Sequence, residues 1–223
     1  MKRSVYSLVL MDDVVRKIDQ AAYSMNTSRS NLINRILAEY VSCPTPEQRT
    51  KDIFEQIAQA VSGERTFQIQ GPPSDGMMSI RSALRFRYNP TIRYAVELYR
   101  EGGDGGDGFG ELRVSSRTQS RQLLEYLEDF FTRFARMELM ERRLSAGVLE
   151  YHMEGGRFTR KFTLPQNVLQ LTNQQLGSAI AWYIQMFDQV MESYFDSVSL
   201  DQRPEEGMKK IYLAYLKQTE WLI

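Results

Sequence analysis

The sequence predicts an α+β chain with two parts, a small N-terminal module and a larger C-terminal domain. Residues 4–10 favour β-structure and are too short for a helix, and two stretches with helical periodicity follow them. Pro44 and Pro46 then block helix continuation. After them, helical stretches alternate with segments whose apolar side chains recur at every second position, which is typical of antiparallel hairpins. We therefore place the N-terminal module at 1–43 and an α+β domain at 47–223.

The composition is that of a globular protein without net charge. The 223 residues are 42% hydrophobic and 25% charged, and 28 basic side chains balance 28 acidic ones, so net charge indicates no class of partner. No apolar run reaches the ~20 residues of a membrane-spanning helix, and we find no export signal. The single cysteine, Cys43, fits a reducing compartment. We expect a cytoplasmic protein without a membrane anchor.

The N-terminal module reads as one strand and two short helices. The first helix is predicted from Asp12 or Asp13, which offer an N-cap, to Asn26, and the second begins after Thr27 and Ser28. Their apolar stripes are Val14, Ile18, Ala21, Ala22 and Met25, then Leu32, Ile33, Ile36, Leu37, Tyr40 and Val41. One unpaired strand and ~40 residues cannot close a core, so we expect a homodimer, or a higher even oligomer, in which two strands form an antiparallel ribbon.

This order of elements resembles the ribbon-helix-helix family of DNA-binding repressors of the Arc, MetJ and CopG type. The resemblance covers Lys2 to about Ser42 and rests on the order of elements together with the segments LMDDV at 10–14 and NTSRS at 26–30. It implies a dimeric transcriptional regulator whose ribbon lies in the major groove of double-stranded DNA. The effector or protein partner of the C-terminal domain is not specified by the resemblance.

The resemblance also implies which side chains contact DNA. The base-facing strand positions are Val5, Ser7 and Val9. The positions expected at the DNA backbone are Lys2, Arg3, Thr27, Ser28, Arg29, Ser30 and Asn31, because the start of the second helix clamps a phosphate in this family. The two valines depart from the usual base readers, which distinguish bases by hydrogen bonds. Sequence specificity is therefore expected to be low or to depend on Arg3 and Ser7.

The C-terminal domain contains a predicted hairpin over 78–99 that turns at 89–91. The predicted register pairs Tyr88 with Ile92, Phe86 with Tyr94, Leu84 with Val96 and Arg87 with Arg93. The opposite face then gathers Arg81, Arg85, Arg87 and Arg93. Like charges directly opposed are unfavourable, so water, acidic helices or an anion must compensate. This face is either solvated or a possible anion site, for an effector or for a second contact with the DNA backbone.

The remaining elements alternate in type. We predict helices at 47–62, 118–143, 172–198 and 204–221, a loop at 71–76, a strand at 109–115, and a second hairpin of 148–153 and 157–164 that turns at Gly155-Gly156. The glycine-rich segment 102–108 has too few carboxylates for calcium and does not precede a helix, so we interpret it as a loop. The aromatic stripe Tyr183, Phe187, Tyr194 and Phe195 predicts a core or a dimer interface.

No signature of an enzyme or of a metal or cofactor site is found. His152 is the only histidine, which excludes a nickel or zinc site built from several imidazoles of one chain. No nucleophile motif or phosphate-binding loop accompanies it. The alternative to a regulator is a dimeric interaction protein, of plasmid-maintenance or antitoxin type, whose C-terminal domain binds a protein. Antitoxin tails are usually short and disordered, whereas 47–223 is predicted to fold, so this alternative ranks second.

Overall fold

The computed structural model describes residues 7–41, 45–63, 67–74, 76–99, 108–145, 148–163, 171–219 and 222–223. These residues form six helices and a six-stranded antiparallel sheet, so the predicted α+β class is confirmed. The chain divides into two compact units, Met1–Arg49 and Thr50–Ile223. No helix in the described ranges has the length and apolar character needed to cross a membrane. Cys43 and residues 102–107 lie outside the described residues.

The N-terminal unit contains two helices, α1 at Asp12–Ser24 and α2 at Arg29–Tyr40. The predicted end of the first helix is confirmed, because Asn26 adopts a positive φ of 50° directly after it. The predicted cap of the second helix is also confirmed. The hydroxyl oxygen of Ser28 accepts a hydrogen bond from the backbone N–H of Asn31 at 3.2 Å, as an N-cap does.

The predicted cap of the first helix is wrong. The N-cap residue is Met11, whose side chain makes no capping hydrogen bond, and Asp12 and Asp13 lie inside the first turn. Their carboxylates stabilise the helix there through its dipole rather than through a cap. Residues 7–10, the described part of the predicted strand, form neither a helix nor a ladder within the chain.

The C-terminal unit consists of one sheet and its helices. The strands are β1 Phe67–Ile69, β2 Met77–Ala83, β3 Thr91–Leu98, β4 Gly108–Ser116, β5 Tyr151–Glu154 and β6 Arg157–Thr163, and the helices are α3 Pro46–Ser62, α4 Arg121–Glu141, α5 Asn173–Ser199 and α6 Glu205–Gln218. Each strand pairs antiparallel with its neighbours in the order β1-β2-β3-β4-β6-β5. The predicted turn of the second hairpin is confirmed, because Gly155 and Gly156 have φ of 55° and 70°, which a tight hairpin turn requires.

The core lies between one face of the sheet and the helices. Phe187 of α5 is fully buried, and its ring centroid lies 4.5 Å from that of Phe134 on α4 and 5.2 Å from that of Phe158 on β6. The whole predicted aromatic stripe of α5 is at most 1% exposed, so it belongs to the core of this chain. The alternating burial of β2, β3 and β6 leaves the other face of the sheet polar and largely exposed.

The predicted register of the first hairpin is wrong. β2 ends at Ala83, and Tyr94 pairs with Ile80 instead of Phe86. The connection from 84 to 90 contains two residues with positive φ, Tyr88 and Asn89, and does not continue the strand. Phe86 leaves the sheet because its ring packs on Phe195 of α5, at a centroid distance of 4.9 Å. Packing against a helix thus overrides the local alternation.

A buried carboxylate, Glu138 of α4, connects three helices and two strands. It is 0% exposed, and Arg160 of β6, also 0% exposed, donates to it from Nη2 at 3.0 Å. The hydroxyls of Tyr151 and Tyr183 donate to the same carboxylate at 2.8 and 2.9 Å, and that of Tyr212 on α6 lies at 3.5 Å. Burial opposes the charge of Arg160, but attraction to Glu138 outweighs it and raises the pKa of the guanidinium.

We expect the loss of Arg160 to destabilise the fold strongly. Arg160→Met removes the guanidinium that donates to the buried Glu138 and leaves it one cation, Arg142, whose Nη1 lies 3.6 Å from the carboxylate. We expect a loss of stability that approaches the ~3–5 kcal/mol of a broken buried pair. The matched control is Arg157→Met, on the same strand but on the exposed face, with an expected change within about 0.5 kcal/mol. Urea unfolding of both variants measures the difference, and equal stabilities would contradict a central role for the buried pair.

Four tyrosines of the core, three of them buried and Tyr151 half-buried, have strongly raised pKa values. The pKa values of Tyr94, Tyr151, Tyr183 and Tyr212 are raised above 10.0, chiefly because burial disfavours the phenolate. Carboxylates add to this effect. The hydroxyl of Tyr94 donates to Asp188 at 2.6 Å, and Glu138 raises the pKa of the other three.

These shifts predict alkaline unfolding. The folded state holds the four protons more tightly than the unfolded chain, whose tyrosines titrate near pH ~10, so their stabilising effect is complete below that pH and is lost as the pH rises beyond it. The free energy of unfolding should fall steeply above pH ~10. Near-ultraviolet circular dichroism measures the loss of tertiary structure, and tyrosinate absorbance measures the ionisation of the tyrosines; the two should change over the same pH range. Ionisation of the buried set with tertiary structure intact would contradict the prediction.

Candidate nucleic-acid interface

The N-terminal unit exposes most of its large apolar side chains. Of residues 7–41, Ala22 and Leu32 alone are buried. Ten large apolar side chains of this range are exposed: Leu8, Val9, Leu10, Met11, Tyr23, Met25, Ile36, Leu37, Tyr40 and Val41. They include both faces of the segment before α1 and much of the predicted stripe of α2. Large apolar side chains exposed in this number are typical of a surface that another molecule covers.

The predicted base-facing positions fall only partly within the described residues. Val5, with Lys2 and Arg3 of the predicted backbone set, lies outside them. Ser7 and Val9 are exposed. Because a strand alternates its faces, Ser7 and Val9 would share one face, and Leu8 would lie on the other.

The start of α2 presents small polar groups to the surface. Ser28, Arg29, Ser30 and Asn31 are exposed, and Thr27 is half-buried. The first backbone N–H groups of a helix have no acceptor within it, and together with the helix dipole they favour an anion. The structure thus brings all five predicted residues together at one helix terminus.

Arg29 is held by the neighbouring helix. Its Nε and Nη2 atoms each lie 2.5 Å from a carboxylate oxygen of Asp19 on α1. This hydrogen-bonded pairing, followed by charge attraction, raises the pKa of Arg29. The guanidinium therefore fixes the start of α2 against α1, and the groups left for an anion are the backbone amides and hydroxyls.

The four arginines of the predicted anion site are separated. Arg81 of β2 lies directly opposite Arg93 of β3, in the place where Arg87 was expected. Arg85 leaves the sheet, since its Nε donates to Glu192 of α5 at 2.9 Å and its pKa is raised by that contact. Arg87 donates to a side-chain oxygen of α4 at 3.2 Å. Arg81 and Arg93 remain together on the exposed face.

A shallow groove of about 390 Å³ lies beside Arg85. Glu192 and Asp196 line it together with Ser193, Ser197 and neutral residues of α5 and α6. The only arginine of its lining is already matched by a carboxylate, so the groove does not favour an anion.

A third arginine, Arg157 of β6, joins Arg81 and Arg93. Arg93 pairs with Ser115 of β4, and Ser115 pairs with Arg157, so the residues form one row across four strands. We call Arg81, Arg93 and Arg157 the arginine row. All three are exposed. The alternation of apolar and polar residues in β6 could have predicted from the sequence that Arg157 is exposed. Its place in the same row as Arg93 depends on the pairing of β6 with β4, which the sequence does not show.

The only histidine lies at the sheet edge. Nε2 of His152 is 3.4 Å from a carboxylate oxygen of Glu154, and both side chains are exposed. Over the described part of the chain, no three His, Cys, Asp or Glu side chains are grouped so that they could bind a metal ion.

Comparison with known proteins gives no relative for this chain. No protein-family model, no curated protein and no solved structure matches it. The resemblance to ribbon-helix-helix repressors therefore rests on the sequence of residues 2–42 alone.

Proposed function

We propose that this chain is a dimeric DNA-binding regulator of ribbon-helix-helix type. In this proposal, residues 4–10 of two copies pair into an antiparallel ribbon that enters the major groove of double-stranded DNA. The observation that carries the proposal is the apolar exposure of residues 7–41, where ten large apolar side chains face solvent and two apolar residues are buried. A second copy of the chain carries the same exposed apolar side chains, so the two surfaces can cover each other across a two-fold axis.

Burial of these side chains is a favourable term of the size that a dimer needs. Full burial of a Leu, Ile or Met contributes about 1.5–3 kcal/mol, and a two-fold dimer counts each side chain twice. The leucines, isoleucine and methionines are 39–74% exposed, so those of two copies contribute free energy on the scale of the about 4–15 kcal/mol that association costs. The backbone of residues 7–10 also gains ladder partners in a ribbon.

Contact with DNA in this proposal depends mainly on the phosphate backbone. Two-fold symmetry places two α2 starts on one side of the dimer, and each offers helix amides with the hydroxyls of Ser28 and Ser30 to a phosphate. Ser7 and Val9 at the base-facing positions provide one hydroxyl and one apolar contact, which discriminate bases weakly. We therefore expect semi-specific binding rather than tight recognition of one operator.

Substitutions at neighbouring residues on opposite faces of the ribbon should affect different properties, dimerisation on one face and DNA binding on the other. Leu8→Glu places a charge inside the dimer and should give a monomer at micromolar concentration, because an unpaired buried charge is costly. Val9→Glu lies on the DNA side and should leave the dimer intact while DNA binding is lost through repulsion of phosphate. Analytical ultracentrifugation and fluorescence anisotropy measure the two effects. The reverse pattern, or a monomeric wild type, would exclude the ribbon.

The phosphate clamp can be tested at the cap itself. Asp and Asn cap helices as well as Ser, so Ser28→Asp and Ser28→Asn should both preserve α2. Only the aspartate adds a negative charge where the phosphate is expected, and it should weaken duplex binding by about tenfold or more, while the asparagine variant stays near wild type. Dimers that bind no DNA in any of these variants or in the wild type would favour the interaction-protein alternative.

A further inference from the structure

We propose that the exposed sheet face of the C-terminal unit is a second contact for the phosphate backbone of duplex DNA, through the arginine row. The identity of the ligand as DNA rests on the proposed function. The position of the row does not, because it follows from strand pairing in the other unit of the chain.

The row is a fixed linear array of cations. Neighbouring strands lie ~4.8 Å apart, so Arg81 and Arg93 are one strand spacing apart and Arg93 and Arg157 are two. The whole row spans about 14 Å on that spacing. Antiparallel pairing on both sides of β3 and β4 holds the three side chains on a stiff platform.

The charges of the row are unmatched, unlike the other cations of this face. Arg113 of β4 pairs with Glu97 at 2.7 Å and also with Glu111, and Lys161 pairs with Glu150 at 2.5 Å. Among the described residues, no carboxylate forms an ion pair with a member of the row. The nearest acid in the register is Glu154, opposite Arg157, and its carboxylate contacts His152 instead.

The sheet contains this unfavourable arrangement without any gain in packing. Arg81 directly opposite Arg93 is a like-charge cross-strand pair, which weakens a sheet. The exposed side chains cover no core. An anion that binds across the row removes the repulsion, and arginine forks bind phosphate oxygens through two parallel hydrogen bonds.

The chemistry around the row favours the backbone of a duplex over other anions. Ser115 and Thr159 lie beside the arginines on the same face, and hydroxyl groups of this kind commonly contact phosphates. The hydroxyl oxygen of Ser79 accepts a hydrogen bond from Nε of Arg93 at 2.8 Å, which holds that guanidinium on the face and leaves its Nη atoms for an anion. No aromatic residue belongs to the row. Tyr99, which follows the end of β3, donates its hydroxyl to Glu111 at 2.5 Å. Single-stranded nucleic acid needs exposed aromatic rings for stacking, which the row lacks. A flat row also fits an extended polyanion better than a small effector, which needs a concave site.

The test compares two triple variants of the full-length chain with equal loss of charge. One changes the row, Arg81→Gln with Arg93→Gln and Arg157→Gln. The control changes Arg136→Gln with Arg203→Gln and Lys210→Gln, which are exposed on α4, before α6 and on α6 and form no ion pair with a described residue. Anisotropy with a fluorescent random-sequence duplex is measured over a range of salt. Log K falls as log salt rises, and the magnitude of this negative slope should be smaller by roughly 2–3 for the row variant, since each phosphate contact contributes about 0.9. The affinity for the duplex should also fall about tenfold or more. The control should keep the wild-type slope.

Each triple variant is also made together with Ser28→Asp, so that failure of this inference can be distinguished from failure of the proposed function. If the row variant lowers the slope in both backgrounds, the row binds DNA. If the row and control variants behave alike while Ser28→Asp weakens binding, the row is overturned and the ribbon proposal stands. If Ser28→Asp has no effect while the row variant abolishes binding, the row stands and the ribbon proposal fails. Tighter binding to the single strand of the same sequence, or no duplex binding by the wild type, overturns the inference.

A conservative variant guards against loss of folding. Arg81→Lys with Arg93→Lys and Arg157→Lys keeps the charges and should retain most of the salt dependence, although it loses the bidentate geometry. Circular dichroism and unfolding midpoints of all variants should match the wild type, because every substituted side chain is exposed. A lysine variant with the slope of the glutamine variant would contradict a phosphate contact made by charge.

Discussion

The buried pair of Glu138 and Arg160 determines which side of the sheet is covered. An unpaired charge in this interior would cost several kcal/mol, so β6 must point Arg160 towards α4. Side chains of a strand alternate, and Phe158 and Phe162 therefore enter the core on either side of Arg160, while Arg157 points to solvent. A slip of one residue would reverse every one of these positions. The interior ion pair thus also fixes the exposed member of the arginine row.

Local patterns predicted most element types of this chain, but not their long-range partners. The cap at Ser28 and the turn at Gly155 depend on a few adjacent residues and were predicted correctly. The register of the first hairpin was wrong because the apolar alternation runs past Ala83, and the end of β2 depends on Phe195 more than a hundred residues away. Sequence spacing carries no information on such a contact, since tertiary packing decides it.

The two members of the buried ion pair, Glu138 and Arg160, carried a sequence signal that periodicity alone could have found. Glu138 follows Phe134 by one helical turn on the apolar stripe of α4, and Arg160 lies between two phenylalanines of β6. A charged residue on an apolar face predicts a buried pair, because charges are almost never fully buried alone. Their mutual partnership still required the fold, since the sequence spacing of α4 and β6 does not show that the two elements meet. The place of Arg157 in the row also depends on the fold, because β4 pairs with β6 although β5 lies between them in the sequence.

The two proposed DNA contacts complement each other in physical character. The start of α2 acts through fixed amides and hydroxyls, since its one arginine is matched by Asp19, so its strength depends on geometry more than on ionic strength. The arginine row acts through unmatched charge and depends steeply on salt. Valine at the base-facing positions removes most of the hydrogen bonds through which a ribbon usually gains affinity. On this proposal, a second contact with the backbone restores the affinity that weak base reading loses, without adding specificity, and gives the like charges of the sheet a common partner.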